Sequence, residues 1–289
     1  MTFLLMGLSL LPALLSQSLE AQAGRLLWLA VAYSLMLSAF ALTVLWLSAR
    51  SHTVTRAFIA SAFAWFTLAL ILPAMSGQLA VSLFPDPDAQ SINAAIERDA
   101  IAAFREGDAR EKAMAALEAD IVADQGGIAF DDLGYSRVAL SLQAHEEFAN
   151  DVYDALYGEL YDNHRRQDSV MRYAALLSPV LAAQRLSSAL AGTDLTAQIS
   201  FAEQAEAHRR LIIADLNMDM MVNGGANAYA YRADRTLWEA TQEFIPRPPS
   251  VTAILSAYRI EWLSLLLWFA VMTVLSVRAT QRAMTAEAQ

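Results

Sequence analysis

The sequence predicts an all-α membrane protein, with four transmembrane helices and a mainly helical extracytoplasmic domain inserted between spans three and four. Three observations carry this. Ala57 to Pro85 is a run of 29 residues without a charged side chain, and about 18 suffice for a bilayer-spanning helix. Acidic residues gather elsewhere: residues 84–257 hold 27 acidic and 14 basic side chains, a net −13, while the remainder carries +3 of the chain's total of −10. That segment is built from Ala, Leu, Glu, Arg and Met and lacks alternating β-branched runs, so it reads as helical.

The first apolar run, Thr2 to Leu19, contains Pro12 and reads as span one, at about 2–19. A signal peptide is the alternative. Ala21-Gln22-Ala23 before Gly24 fits a cleavage site, but no Lys or Arg precedes the apolar core. Leu26 to Ser48 is span two, with Trp28 and Trp46 at its ends as interfacial aromatics. Ala30, Ser34 and Ser38 form a small-residue stripe on it, and Ala60 and Ala64 a shorter one on span three. Such stripes let helices approach closely in lipid, and these five are the helix-packing candidates. Span three is placed at about 57–75, with Pro73 kinking or ending it and Ser76 to Phe84 at the far interface.

The loop 49–56 holds Arg50, His52 and Arg56 and no acid, and the C-terminal tail has Arg278 and Arg282 against Glu287. The excess of arginine expects both on the cytoplasmic side, which puts residues 84–257 outside. In that segment, turn-like Pro85-Asp86-Pro87-Asp88 precedes a helix at Asn93–Arg105. Gly126, Gly127 and Gly134 bracket a loop. Ser136 to about Asp168 is one long helix or two abutting ones, with Phe148, Val152, Leu156 and Leu160 as its apolar stripe. Helices are also expected at 171–190, 197–221 and 232–242, with Gly224-Gly225 as a break. Pro246, Pro248 and Pro249 make a stiff link to the last span, about 262–277, and its tail.

The most distinctive stretch runs from Ser178 to Leu195. Pro179 suits a helix first turn, Gly192 a left-handed terminus, and Thr193 or Asp194 a cap for the next helix. The expectation is helix, corner, helix, with Arg185 and Asp194 paired across the corner as a structural contact.

The acidic cluster His145, Glu146, Glu147, Asp151, Asp154, Glu159, Asp162 and His164 invites a bundle metal centre, but it lacks Glu-x-x-His and reads as a solvated face. His208 beside Arg209 and Arg210 reads as surface. The chain has no cysteine, hence no disulfide or thiolate metal site, and its acidity argues against nucleic acid. No cofactor motif appears. A Walker A loop needs Gly-Lys, and the only lysine, Lys112, follows Glu111. The chain is therefore not its own ATPase. Within the spans as placed here there is no Asp, Glu, Lys, Arg or His, which disfavours an ion-coupled carrier.

The Ser178–Leu195 stretch, together with Gln143-Ala144-His145-Glu146-Glu147-Phe148, Asp234-Arg235-Thr236-Leu237-Trp238-Glu239 and Pro248-Pro249-Ser250, resembles a bacterial ABC-2-type permease family. Its members insert a large helical extracytoplasmic domain of unknown function before the last span. The resemblance implies a multi-pass transport subunit of the cell (inner) membrane, with a cytoplasmic ABC ATPase subunit as partner and a second permease copy, or the missing N-terminal permease half, beside it in the lipid. Such permeases resemble a six-span unit with an amphipathic coupling helix near the N-terminus. This chain looks like the C-terminal four-span portion, split or truncated. The alternative expectation is a membrane-anchored binding domain that transports nothing.

Overall fold

The structure is a computed structural model and describes residues 19–106 and 108–287. About 85% of it is helix, and no strand occurs among the described residues. Among the described residues three helices are long and apolar enough to cross a membrane: Gln22–Arg50, Val54–Leu83 and Arg259–Arg282. Their outward faces carry Leu27, Leu37, Phe58, Phe63, Trp65, Leu263 and Leu267, all exposed. A water-soluble chain would hide such rows; lipid covers them at no cost. The expected first span, about 2–19, lies outside the described residues but for Leu19.

The chain divides into two compact units, one of residues 1–85, 165–198 and 248–289, the other of 86–164 and 199–247. The first contains α1 (Leu19–Arg50), α2 (Val54–Leu83), α6 (Pro179–Ala191), α9 (Val251–Ala257) and α10 (Arg259–Glu287). The second contains α3 (89–106), α4 (Ala109–Asp124) and α8 (Arg235–Ala240). The long helices α5 (Arg137–Ala174) and α7 (Leu195–Asn223) have residues in both.

In the first unit α1 packs along α10, and α6 packs against both. The core is Ala32, Ala175, Leu181, Ala182, Ala183, Leu186, Ala189, Leu190, Ile254, Tyr258 and Leu265, with Trp28, Met36 and Trp262 against it. Five of these eleven are alanine, which lets the α6 backbone come close. The Trp28 and Trp262 rings meet edge to face at 5.3 Å. The contact line on α1 runs through Ala32, Ala39 and Thr43, and Ser276 of α10 donates to the Leu42 carbonyl at 2.7 Å. Ser34 is exposed, with Ala30 and Ser38 half-buried, so the Ala30–Ser34–Ser38 stripe is not the line of closest approach. A strict four-residue spacing drifts around a 3.6-residue helix, whereas 32 and 39 stay in register over seven. Ala60 and Ala64 are half-buried on the inner face of α2.

Pro73 does not end α2, which continues to Leu83. The turn before it, Thr67–Ile71, widens to π-helix, with the Leu72 N–H bonding to the Thr67 carbonyl. Widening relieves the clash of the proline ring with the preceding turn. In that register the Leu68 carbonyl faces a residue with no N–H. The Ser178 hydroxyl donates to it instead, at 2.7 Å. Ser178 Oγ also accepts the Leu181 N–H at 3.1 Å, capping α6, and the residue is fully buried. Pro179 follows in the first turn, as expected.

The expected helix over 171–190 is broken. α5 ends at Ala174, and a turn at 175–177 precedes α6. The corner's open carbonyls are filled from α10: Ser264 donates to Ala175 at 2.6 Å, and Trp268 Nε1 to Leu176 at 3.1 Å. At the other end of α6, Gly192 is left-handed at φ 73°, and Asp194 Oδ1 accepts the Ala197 N–H at 3.3 Å. Thr193 sends its N–H back to the Ser188 carbonyl at 2.9 Å. Asp194, not Thr193, is therefore the cap.

In the second unit Ile121, Phe130, Ala139, Leu140 and Met221 form a separate core. Asp88 caps α3 through the N–H groups of Gln90 and Ser91. Gly126, Gly127 and Gly134 have positive φ around the loop. Asp234 caps α8, accepting the Leu237 N–H at 3.1 Å.

Ser178→Ala removes a buried donor and leaves the Leu68 carbonyl unpaired, at a cost of about 1–3 kcal/mol. Pro73→Ala in the same chain restores an N–H to that turn and should recover part of the loss. Thermal unfolding of the full chain in detergent checks both, and equal losses in the single and double variants would refute the pairing.

Candidate functional site

The corner of the first unit gathers charge from three helices. Arg185 of α6 is 11% exposed at its side chain. Its Nη1 and Nη2 donate to both oxygens of Asp168 on α5, at 2.7 and 2.9 Å, and its Nε donates to Glu261 Oε1 on α10 at 2.8 Å. The guanidinium lies 5.7 Å from the Tyr258 ring. Tyr258 in turn donates to Asp194 Oδ2 at 2.5 Å. Arg25 of α1 donates to the Leu190 and Pro249 carbonyls, at 3.0 and 2.6 Å, and so ties the end of α6 to the segment before α9.

Arg185 does not pair with Asp194. Helix side chains lean toward the N-terminus, so Arg185 reaches back to α5, away from Gly192. Burial opposes its charge, yet the bonds to Asp168 and Glu261 outweigh burial and hold its pKa above the usual guanidinium value. Burial and then the bond to Asp194 raise the Tyr258 phenol, so it stays a donor.

Glu261 is fully buried and belongs to the helix Arg259–Arg282, so this candidate span does carry an acid. The apolar run alone places the last span at about 262–277, one residue past Glu261. Buried ionisable groups at membrane helices mark functional positions more often than scaffold.

The acidic cluster of α5 resolves into pairs in the second unit. Arg209 meets Glu206 at 2.8 Å and Glu146 at 3.3 Å, while Arg210 meets Asp154 at 2.6 Å and Glu206 at 2.9 Å. Arg209 and Arg210 are therefore bridging residues and not free surface. The His145 ring lies 4.6 Å from that of Phe104, tilted by 35°, and His164 lies 3.3 Å from Asp86. Glu147 accepts from Gln143 at 2.9 Å, and Asp151, Glu159 and Asp162 are exposed. Among the described residues no three His, Asp or Glu converge as a metal site.

A family model described as a domain of unknown function (DUF3526) matches residues 92–247, more than half of the chain. The chain belongs to the DUF3526 family. The match includes Asp168, Arg185 and Asp194, whereas Glu261 and Tyr258 lie beyond it. The DUF3526 segment thus supplies three members of the corner and the flanking helices supply the others. No curated protein and no solved structure matches the chain.

Arg185→Ala leaves Glu261 buried and unpaired, and Glu261→Gln keeps an acceptor for Arg185 but leaves Asp168 as the counter-charge. Each should destabilise the chain, Arg185→Ala by about 3–5 kcal/mol. The double variant should lose less than the sum, as coupled partners do. Melting in detergent measures this, and strict additivity would refute the coupling.

Glu206 is held down to about 2 by the Arg209 bond, with burial opposing and Arg210 assisting. A folded value below the ordinary 4.5 gives stabilisation that is complete above pH 4.5 and fades as pH falls toward 2. The melting difference between the native chain and Glu206→Gln should therefore be largest above pH 4.5 and vanish near pH 2. The Glu206 side chain is 39% exposed, so screening keeps the effect below about 1 kcal/mol.

Proposed function

We propose that the chain is the membrane-spanning permease subunit of an ABC-2-type, ATP-driven transporter, working as an exporter. In this reading four spans cross the bacterial inner membrane, residues 84–257 lie outside and the C-terminus is cytoplasmic. A cytoplasmic ABC ATPase supplies the energy, and a second permease copy or N-terminal permease half completes the pathway. The motif resemblance suggests the type. The supporting observation is that α6, part of the DUF3526 segment, is packed against α1 and α10 and is fastened to α10 by Arg185–Glu261 and to α2 by Ser178–Leu68. A passive anchor has no need of a helix stitched to its neighbours by polar bonds. Such stitching suits rigid-body transmission, in which ATP-driven movement of the spans displaces the outer residues.

Co-purification of the full chain with the products of neighbouring genes should recover a P-loop ATPase. Reconstitution should stimulate its turnover severalfold, and Glu261→Gln should lower that stimulation while the chain stays in the membrane. An ATPase whose turnover ignores the chain would favour the anchored binding domain instead.

A further inference from the structure

The second unit contains an open cleft of about 760 Å³, within the range that takes a drug-sized ligand. One wall is a row of tyrosines. Tyr153, Tyr157 and Tyr161 recur at four-residue spacing and so share a face of α5. Adjacent rings stand 6.0 and 6.1 Å apart, the first pair inclined by only 18°. Tyr157 is 39% exposed. A tyrosine row on a helix usually packs into a core, but this one faces the cleft.

The charges around these rings have one sign in excess. Glu146, Asp154, Glu203 and Glu206 line the cleft with Arg209 and Arg210, four carboxylates against two guanidiniums. Each guanidinium is already held by two carboxylates, Arg209 by Glu206 and Glu146 and Arg210 by Asp154 and Glu206. An anionic ligand would meet guanidiniums already satisfied by carboxylates, in a cleft whose net charge is negative. A neutral ligand would gain nothing from the acid excess. A cation gains from the net negative charge and from the aromatic rings beside it.

We propose that this cleft binds an organic cation with an apolar body, of the quaternary ammonium or phosphonium class. The rings take the body and the onium centre, and the acidic excess sets the sign. The site stands on the second unit alone and is independent of the transport reading.

The test uses the full chain in lipid nanodiscs, with empty discs subtracted. Binding of tetraphenylphosphonium is compared with that of tetraphenylborate, an anion of nearly the same shape, and with neutral maltotriose. Saturable binding of the phosphonium is expected, at least about tenfold tighter than of the borate, and weakening as salt is raised. Tyr157→Leu should weaken it by about tenfold, while Tyr157→Phe, which keeps the ring, should stay within about twofold. Borate bound as tightly as phosphonium, preference for the sugar, or equal losses in the two variants would each overturn the proposal. The phosphonium–borate comparison needs no variant, so it decides even if Tyr157→Leu fails to fold.

Discussion

A backbone corner set among apolar helices must find hydrogen-bond partners that neither water nor lipid supplies. The α5–α6 corner is such a place. α5 ends with open carbonyls and α6 begins with open N–H groups, as every helix does. Three side chains resolve this: Ser178 at the start of α6, and Ser264 and Trp268 from α10. A backbone group buried without a partner costs several kcal/mol, so these bonds determine whether the corner can sit there at all. Ser178 is the most constrained of them. Its hydroxyl has one proton to give, and it goes to the carbonyl beside which Pro73 has no N–H. The π-turn in α2, the proline and the cap of α6 therefore form one device, although 110 residues separate Ser178 from Leu68.

The local halves of that device were legible in the sequence and the long-range half was not. Ser178-Pro179 announces a helix start, Gly192 a left-handed stop, and Thr193 or Asp194 a cap, because each rests on the residue's own chemistry within three or four positions. The break at 175–177 had weaker punctuation, since Ala, Leu and Leu are good helix formers and only Ser178-Pro179 argued against continuity. Pro73 was visible as a disturbance, but whether a helix stops or widens there depends on what fills the open carbonyl, which lies far away in the chain. The small-residue stripe and the seam within the chain differ for a geometric reason: a four-residue repeat rotates off a helix face, and the buried line on α1 runs through Ala32, Ala39 and Thr43.

The site followed the same division. Arg185 and Asp194 could be marked as unusual within an apolar stretch, yet their partners came from other helices. Glu261 was hidden by the arithmetic of hydropathy, which trims a span at its first charge. A residue in that position can be a solvated flank or a buried member of a network, and only the neighbour decides. The acidic row of α5 posed the converse problem. Read alone it is a solvated face; beside α7 it becomes a set of Arg209 and Arg210 bridges along a cleft whose tyrosines form a row visible in the sequence only as a four-residue period.

The buried charges at the corner call for their own account, because a desolvated ion pair is seldom the most stable way to fill a space. Apolar side chains of the same volume would pack α6 against α10 at least as firmly. Against a shift of one turn such side chains would offer only the fit of their shapes. The Arg185 fork is more restrictive: it takes both oxygens of Asp168 and one of Glu261, and a displacement of α10 by a turn would leave Glu261 buried without a counter-charge. The network therefore adds the cost of an unpaired buried charge to every other register, where a helix of the DUF3526 segment meets a helix able to cross the membrane. Rigidity at that place is what a structure needs if force is to pass through it.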